Sequence, residues 1–335
     1  MKFRATFSSV GVQWLERFVP VFEKLGKELS VLLTPSTLHL VQDHTASGGL
    51  ELHADVLREE VFDEYKISSN NEDKIAFHLE PAVLHRVLRG LIGSEATHVE
   101  VKLIKRLVAP ERSLPFLNFS SRGVVDIVQD VPLAGPLNRR ELARLETLVK
   151  ANVVGVPYWL NLDKTATEAT QQAVERFRAV GPVVELATTR AGALHVSVGR
   201  AGFGAAELGT ELRGAPVLPA AERRPDPSEE GAEDETGEES GGEPSPSTSA
   251  SERLAAARAA GIAALVRVAT RQLWKSLLGM STDPTNCLVG VAGGGGHVEL
   301  VFRYDRQAIH GNDAVGLMVR LPVEEDDDVM FEEDR

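Results

Sequence analysis

The strongest constraint on the fold is an internal repeat, because one order of predicted elements occurs twice along the chain. In each half a strand, an amphipathic helix and a second strand are followed by two more apolar strands, and both copies end on a strand marked by proline. The first copy comprises residues 75–80, 81–92, 98–104, 114–121 and 124–133, and the second comprises residues 263–269, 270–280, 287–292, 297–304 and 315–323. A repeated unit of this size predicts two similar domains.

The first parts of the two halves correspond as well. A strand, a helix and two strands occupy residues 2–42, and the same order occupies residues 158–199. Strands with short helices at matching places predict an α+β fold, in which each domain packs its helices on one face of an antiparallel sheet. We therefore predict an N-terminal domain at 1–133, a connector at 134–156 and a C-terminal domain at 157–323.

The net charge of −13 is concentrated in two segments. Residues 225–251 contain nine acids and no base, and residues 324–335 have a net charge of −7, so the remaining body carries +3. From about residue 214 to about residue 255 the chain is rich in Pro, Gly, Ser and Glu, which bury too little apolar surface to fold. We predict a disordered acidic insert there, within the C-terminal domain, and a disordered acidic tail at 324–335.

Composition also bears on the cellular compartment. Cys287 is the sole cysteine, so the chain cannot form an internal disulfide, and a reducing compartment is expected. The opening residues MKFRATFSSVG lack the apolar stretch of a secretory signal, and the sequence contains no run of about 18 apolar residues. We expect neither secretion nor a membrane span.

The sequence offers no persuasive catalytic motif. The glycine run at 293–296 lacks the Lys-Ser/Thr ending and the following helix of a phosphate loop, and residues 199–204 are a weak glycine match; turns explain both. Four histidines form two close pairs whose spacing fits neither cysteine-containing metal sites nor HExxH. These are His39, His44, His78 and His85. We predict that the protein is not an enzyme and uses no metal and no cofactor.

Basic residues are more informative, because all four predicted helices carry them. These helices lie at about 12–27, 81–92, 165–180 and 270–280. Such bases are either ordinary solvated side chains or a shared surface for nucleic-acid phosphates, which attract them without any reading of base sequence. The candidate DNA-facing bases are Arg17, Lys24, Lys27, Arg86, Arg89, Lys164, Arg176 and Lys275.

Several segments resemble the Hus-one family, a subunit of the checkpoint sliding clamp built with Rad-nine and Rad-one. MKFRATF resembles the start of that family, and FEKLGKELSVLLTPSTLHLV, the DHTASGG loop, FDEYKISSNNEDKIAFHLEPAVLHRVLRGL and IVQDVPL follow in register. The resemblance covers most of residues 1–133 and continues through YWLNLD and the CLVGVA…HVELVFRY pattern. The acidic insert and tail depart from a compact family member.

The resemblance implies a two-domain fold like that of proliferating cell nuclear antigen, in which three subunits close a ring and helices line its hole. It implies a non-catalytic protein that encircles DNA at damage or stalled replication and recruits checkpoint signalling and repair proteins. The implied partners are Rad-nine-like and Rad-one-like subunits, a clamp loader and double-stranded DNA without sequence specificity. The implied location is the nucleus, with the cytoplasm as a second location, and the connector would border a groove for partner peptides.

Two strands are candidate edges for pairing between subunits, by analogy at the level of the domain. Such pairing protects sheet edges that are otherwise prone to aggregation. The alternative for each strand is a place inside its own sheet. The candidate edge residues are Leu114, Phe116, Leu117 and Phe119 in the first domain and Leu208 and Leu212 in the second.

Three other functions stay open from the sequence. The first is a replication-type homotrimeric clamp that acts as a processivity factor, and the second is a protein-only interaction scaffold. The third is an enzyme such as a nuclease, in which folding would bring together acids such as Asp126 and Asp163.

Overall fold

The computed structural model describes residues 1–43, 49–94, 98–109, 112–123, 126–134, 137–150, 156–199, 208–219, 249–292, 296–304 and 314–324. Contacts between Cα atoms divide the chain into two compact units. The first unit comprises Met1–Val153, Lys275–Asn286 and Leu300–Leu321, and the second comprises Val154–Trp274, Cys287–Glu299 and Pro322–Arg335.

The order of elements repeats between the halves of the chain. The first half contains β1 (Lys2–Phe7), α1 (Gly11–Leu25), β2 (Leu29–Leu33), β3 (Thr37–Gln42), β4 (Glu51–Leu57), α2 (Arg58–Val61), β5 (Phe62–Ser68), β6 (Ile75–Leu79), α3 (Pro81–Gly93), β7 (His98–Ala109), β8 (Arg112–Arg122) and β9 (Ile127–Pro132). Helix α4 (Arg139–Lys150) follows. The second half contains β10 (Tyr158–Asp163), α5 (Lys164–Phe177), β11 (Val183–Thr189), β12 (Leu194–Val198), β13 (Leu208–Leu212), β14 (Val217–Pro219), α6 (Ala250–Ala259), β15 (Ala263–Ala269), α7 (Thr270–Ser276), a 3-10 helix (Leu277–Thr282), β16 (Asn286–Val291), β17 (His297–Arg303) and β18 (Val315–Pro322).

Strand pairing repeats along with the order. β1 lies between β5 and β7, just as β10 lies between β14 and β16. β2 lies between β3 and β6, and β11 lies between β12 and β15. These pairs are antiparallel wherever their register is defined. The equivalence makes β4 the counterpart of β13, and β9 the counterpart of β18.

The core of the first unit forms where α1 packs against strands. Trp14, Phe18 and Phe22 are buried and recur every four residues, so they share one face of α1. The ring of Tyr304 meets Trp14 and Phe18 edge-on, with centroids 5.6 and 5.4 Å apart. Edge-to-face contacts of this kind add to the stabilisation from burial, so this aromatic cluster fixes α1 on the sheet.

Side chains of β3 point alternately to two opposite layers. Gln42 points towards α1, where its Nε2 donates a hydrogen bond of 3.0 Å to the carbonyl of Phe22. Val41 points the other way and packs against Leu145 of α4. Because successive strand residues face opposite sides, α1 and α4 lie on opposite faces of these strands.

The second unit has the corresponding sheets. One runs β13-β12-β11-β15, and the other places β10 between β14 and β16. Buried Trp159 lies against Gly290 so closely that a Cβ on Gly290 would come within 2.6 Å of its ring. Tyr158 donates a hydrogen bond of 2.8 Å to the carbonyl of Thr188. The YWLNLD segment is therefore a core strand, as its pattern predicts.

Both ends of the predicted disordered insert are folded, so that prediction is wrong at its limits. Val217–Pro219 form β14 and pair with β10. Helix α6 begins with a reciprocal capping box between Ser249 and Glu252, which satisfies N–H groups at the start of the helix. At these two ends, strand pairing by apolar residues and helix capping stabilise structure that the average composition of the segment does not predict. The rest of the insert at 220–248, the tail from 325, His44 and the glycine runs at 200–204 and 293–295 lie outside the described residues.

The predicted edge in the first domain is also corrected. Strand β8, which carries Phe116, Leu117 and Phe119, pairs with β7 on one side and with β9 on the other. It is therefore an internal strand, and the outermost strands of the order β5-β1-β7-β8-β9 are β9 and β5. Leu114 pairs with Arg106 of β7 and lies beyond the paired part of β9.

Candidate nucleic-acid interface

In the first unit, α1 and α3 lie side by side and bury their apolar faces. Helix α3 buries Leu84, Val87 and Leu88 and turns its other side to solvent. Nδ1 of His85 on α3 lies 2.5 Å from Oε2 of Glu23 on α1, which links the two exposed faces. The pair thus forms a two-helix surface whose solvent side is set by the amphipathic pattern.

Most predicted bases of this unit lie on that surface. Lys24 on α1, Lys27 just beyond its end, and Arg86 and Arg89 on α3 are all exposed. Arg17 is half-buried, and its guanidinium lies 5.0 Å from the centre of the Trp14 ring. The fold therefore brings four exposed bases to neighbouring helices, and we name Lys24, Lys27, Arg86 and Arg89 the basic cluster.

Three further predicted bases lie on helices of the second half of the chain. Lys164 and Arg176 are exposed at opposite ends of α5 in the second unit, whereas Lys275 near the end of α7 belongs to the first unit and is half-buried. The guanidinium of Arg178 lies 4.1 Å from the centre of the Trp274 ring, so the end of α5 contacts α7. All eight predicted bases lie on or beside α1, α3, α5 and α7; their role towards DNA stays a prediction.

Acidic side chains lie among the bases of both units. On α1, the carboxylate of Glu23 is held by His85, which reduces its competition with the neighbouring bases. On α5, Glu168 is exposed between the basic ends and weakens the positive field there. Exposed Lys and Arg side chains contact phosphates at variable positions and read no base edges, which suits binding without sequence preference.

Two edge strands form the second part of the candidate interface. β9 has a strand neighbour only on the β8 side, and β13 only on the β12 side, within the part of the chain that is described. Val128 of β9 and Leu208 of β13 are large apolar side chains left exposed at 64% and 46%. Leu208 and Leu212 thus lie on an outermost strand, whereas sequence reasoning missed β9. Edges of this kind are templates for pairing with another chain.

The connector contains helix α4. Oδ1 of Asn138 accepts the N–H of Glu141, and Oε2 of Glu141 accepts the N–H of Asn138, at 3.0 and 2.7 Å, so a capping box starts α4. Leu145 of α4 is buried on an apolar patch formed by Leu32, Val41 and Ala76. Helix α4 therefore covers part of the sheet face opposite α1.

A charged cluster supports strand β13. His195 on β12 faces Glu211 on β13, and Glu211 forms a double ion pair with Arg253 of α6, with Nε and Oε1 3.0 Å apart. The hydrogen bond from Arg253 lowers the pKa of Glu211, whereas burial lowers the pKa of His195. The neighbouring cations are Arg253 and Arg213, whose Nε lies 3.7 Å from Glu211.

The His195 environment predicts a pH-dependent stability. A histidine whose folded pKa lies below its ordinary 6.5 is protonated more readily in the unfolded chain, so stability is complete above 6.5 and declines as pH falls below it. Glu211 acts in the same direction, but only as pH falls below its ordinary 4.5. Between about pH 8 and about pH 5.5, the loss of free energy of unfolding should be smaller in His195→Gln than in the natural chain. Urea unfolding at both pH values measures this, and equal losses would contradict the assignment.

The acids proposed for a nuclease do not form a metal site with neighbouring ligands. Oδ1 of Asp163 accepts the N–H of Ala166 at 2.7 Å and so caps α5, and Asp126 is an exposed residue before β9. Among the described residues, the group of side chains able to hold a metal ion contains neither of them. Among the described helices, none is both long and apolar enough to cross a membrane.

Comparison of the sequence with known proteins identifies relatives over most of the chain. A family model described as Hus1-like protein matches residues 1–302. The checkpoint protein hus1 homolog of Dictyostelium discoideum is 26% identical over 133 residues, which are 40% of this chain and 48% of that protein. The chain thus spans about half the length of the curated relative that it matches.

Solved structures show the fold. Proliferating cellular nuclear antigen from Entamoeba histolytica superimposes with a TM-score of 0.62 at 10% identity, over 96% of this chain and 99% of that chain. PCNA from Thermococcus kodakaraensis superimposes with a TM-score of 0.58 at 12% identity, over 96% and 100% of the two chains. The predicted α+β sliding-clamp fold is therefore confirmed.

Proposed function

This chain belongs to the Hus1-like family, the family whose motifs the sequence carries, and on that premise we propose that it is a non-catalytic subunit of a ring-shaped checkpoint clamp. In this proposal the clamp encircles double-stranded DNA at damage or stalled replication and recruits checkpoint signalling and repair proteins. It contains Rad-nine-like and Rad-one-like subunits, a clamp loader places it on DNA, and it acts in the nucleus.

The observation that carries the proposal is one strand pair inside the chain. β18 pairs with β4, with Val315 opposite Val56 and Arg320 opposite Glu51. Their counterparts in the internal repeat, β9 and β13, are both outermost strands. If a neighbouring subunit places its β13 equivalent against β9, the contact between subunits reproduces the β18–β4 pair. Such head-to-tail contacts use two different surfaces and close into a ring when the rotation allows.

The basic helices provide the electrostatic attraction by which the ring binds DNA. The basic cluster and the exposed ends of α5 present Lys and Arg to solvent. Phosphate contacts of this kind attract a duplex at any sequence, so that a closed ring remains free to slide. Direct or water-mediated contacts both serve, because bridging water weakens such interactions little.

The alternatives predict different assemblies. A replication-type clamp would form a stable homotrimer from this chain alone. A protein-only scaffold would assemble with partners but would not associate with DNA. The family membership favours a mixed ring, whereas the two unlike edge strands suit head-to-tail closure of either kind of ring.

The test is co-expression of this chain with Rad-nine-like and Rad-one-like subunits, followed by mass measurement and particle imaging. We expect a complex with one copy of each subunit and a ring-shaped projection, and no homotrimer of this chain alone. A stable homotrimer, or a mixed complex without a central opening, would contradict the proposal.

A further inference from the structure

Three metal-ligating side chains converge on the face of the first unit's sheet that also carries α4. His39 on β3 lies directly opposite Asp55 on β4, and His53 lies two residues before Asp55 on the same strand. Because side chains of strand residues two apart share a face, all three point to one side of the sheet. An H-x-D pair on one strand with a histidine opposite it places three ligands around one point.

The distances between ligand atoms are short enough for a shared ion. Nδ1 of His39 contacts Oδ1 of Asp55, and Nε2 of His53 lies 2.7 Å from the same oxygen. The nitrogens and the oxygen of the cluster all lie within 4.8 Å of one another. Ligand atoms around a tetrahedral zinc lie about 3.3 Å apart, so side-chain rotations of modest size are enough to receive the ion.

His53 is buried beside the carboxylate. The residue is 8% exposed, and its Nε2 lies 2.7 Å from Oδ1 of Asp55. A buried imidazole nitrogen that already faces a carboxylate oxygen needs only a small rotation to share an ion with it.

Both imidazoles meet the same carboxylate oxygen, Oδ1 of Asp55. The nearby cation on this face, Arg320, is matched by Glu51 at 3.0 Å.

Gly316 of β18 leaves room beside the cluster. It lies opposite Asp55 in the sheet register, and a Cβ built on it would meet no atom within 4 Å. A side chain at this position would lie over the carboxylate, whereas glycine leaves an approach for an ion and for a water molecule as a further ligand.

We propose that His39, His53 and Asp55 form a binding site for a divalent transition-metal ion of the zinc class, with an open position for water next to Gly316. Two imidazole nitrogens and one carboxylate oxygen are the donors that suit Zn²⁺, and the open position completes four-coordination. The site stands on the geometry of one sheet and does not depend on the proposed clamp function.

The test uses the full chain, freed of metal by a chelator and titrated with Zn²⁺ or Co²⁺. We expect one ion per chain at this site, the visible absorption of four-coordinate Co²⁺, and a rise in Kd of at least about 100-fold in His53→Gln and in Asp55→Asn. His78→Gln is the matched control, because His78 lies on the same sheet, bonded to Ser30 at 2.9 Å, and is outside the cluster. Its affinity should be unchanged.

Three results would overturn the site. They are millimolar or weaker binding by the folded natural chain, equal affinity in the ligand variants, and loss of affinity in His78→Gln as large as in His53→Gln. Should the ligand variants fail to fold, proton NMR of the Co²⁺-loaded natural chain decides. Two strongly shifted imidazole N–H signals are expected, and their absence would contradict coordination by His39 and His53.

Discussion

Replacement of Lys24, Lys27, Arg86 and Arg89 together by Glu should release the assembled ring from circular DNA at least about 100-fold faster than the natural ring. Three of the side chains are exposed on two adjacent helices and Lys27 just beyond the end of α1, so the change turns an attractive surface into a repulsive one. If all four contact phosphates, the slope of log affinity against log salt should become shallower by about four. Retention on closed circular DNA across a salt series measures both quantities.

The matched control compares two arginine pairs. Arg86→Glu with Arg89→Glu on α3, and Arg139→Glu with Arg140→Glu at the start of α4, change the charge equally at exposed helical positions. Because α1 and α4 lie on opposite faces of the β3 sheet, only the α3 pair is expected to weaken retention. Equal effects of the two pairs would show a response to net charge alone, and the DNA-facing assignment of the basic cluster would be wrong.

The helices and strands that the sequence predicts correctly are those whose apolar residues recur at a regular spacing. The gaps of three and four in α1 and the apolar runs of β2 and β3 need only nearby residues, and the internal repeat then predicts the same elements in the second half. The placement of the bases follows from the same signal. If the apolar face of α3 must be buried, Arg86 and Arg89 have to be exposed, whatever the sheet beneath them looks like.

The order of strands within a sheet was not predictable in this way. β8 and β9 both carry apolar residues, and which of them is outermost depends on which one pairs with β7. Phe116, Leu117 and Phe119 read equally well as an edge or as an internal strand. Proline does not separate the two strands either, because β8 contains Pro115 and β9 contains Pro132.

The His39–His53–Asp55 cluster shows the same limit. The spacing between His39 and His53 matches no metal motif, because the turn between β3 and β4 can have any length. Only the register, which sets His39 against Asp55, brings the three residues together. A sequence signal still exists. When a strand with an H-x-D pattern follows a strand with a histidine, a hairpin can bring the three side chains to one face of the sheet.

Replacement of Val128 by Pro should weaken assembly of the ring about 10- to 100-fold while leaving the chain folded. The N–H of Leu133 donates to the carbonyl of Pro115 on β8 at 3.1 Å, so odd-numbered residues of β9 point their backbone groups to β8. Val128 and Asp130 point theirs to the free edge, as does Pro132. Proline at 128 thus removes a donor that an incoming strand would need, but it breaks no hydrogen bond between β8 and β9.

The comparison that isolates the backbone donor is Val128→Thr, which keeps the N–H and a β-branched side chain of similar size. We expect normal assembly with this variant, and reduced assembly with Val128→Pro at an unchanged urea midpoint of the isolated chain. Gln129→Pro should instead destabilise the isolated chain. The backbone N–H of residue 129 points to β8, so proline there removes a hydrogen bond between β8 and β9 and lowers the free energy of unfolding. If Val128→Pro assembles as well as Val128→Thr, β9 is not a pairing edge, and the ring must close through another surface.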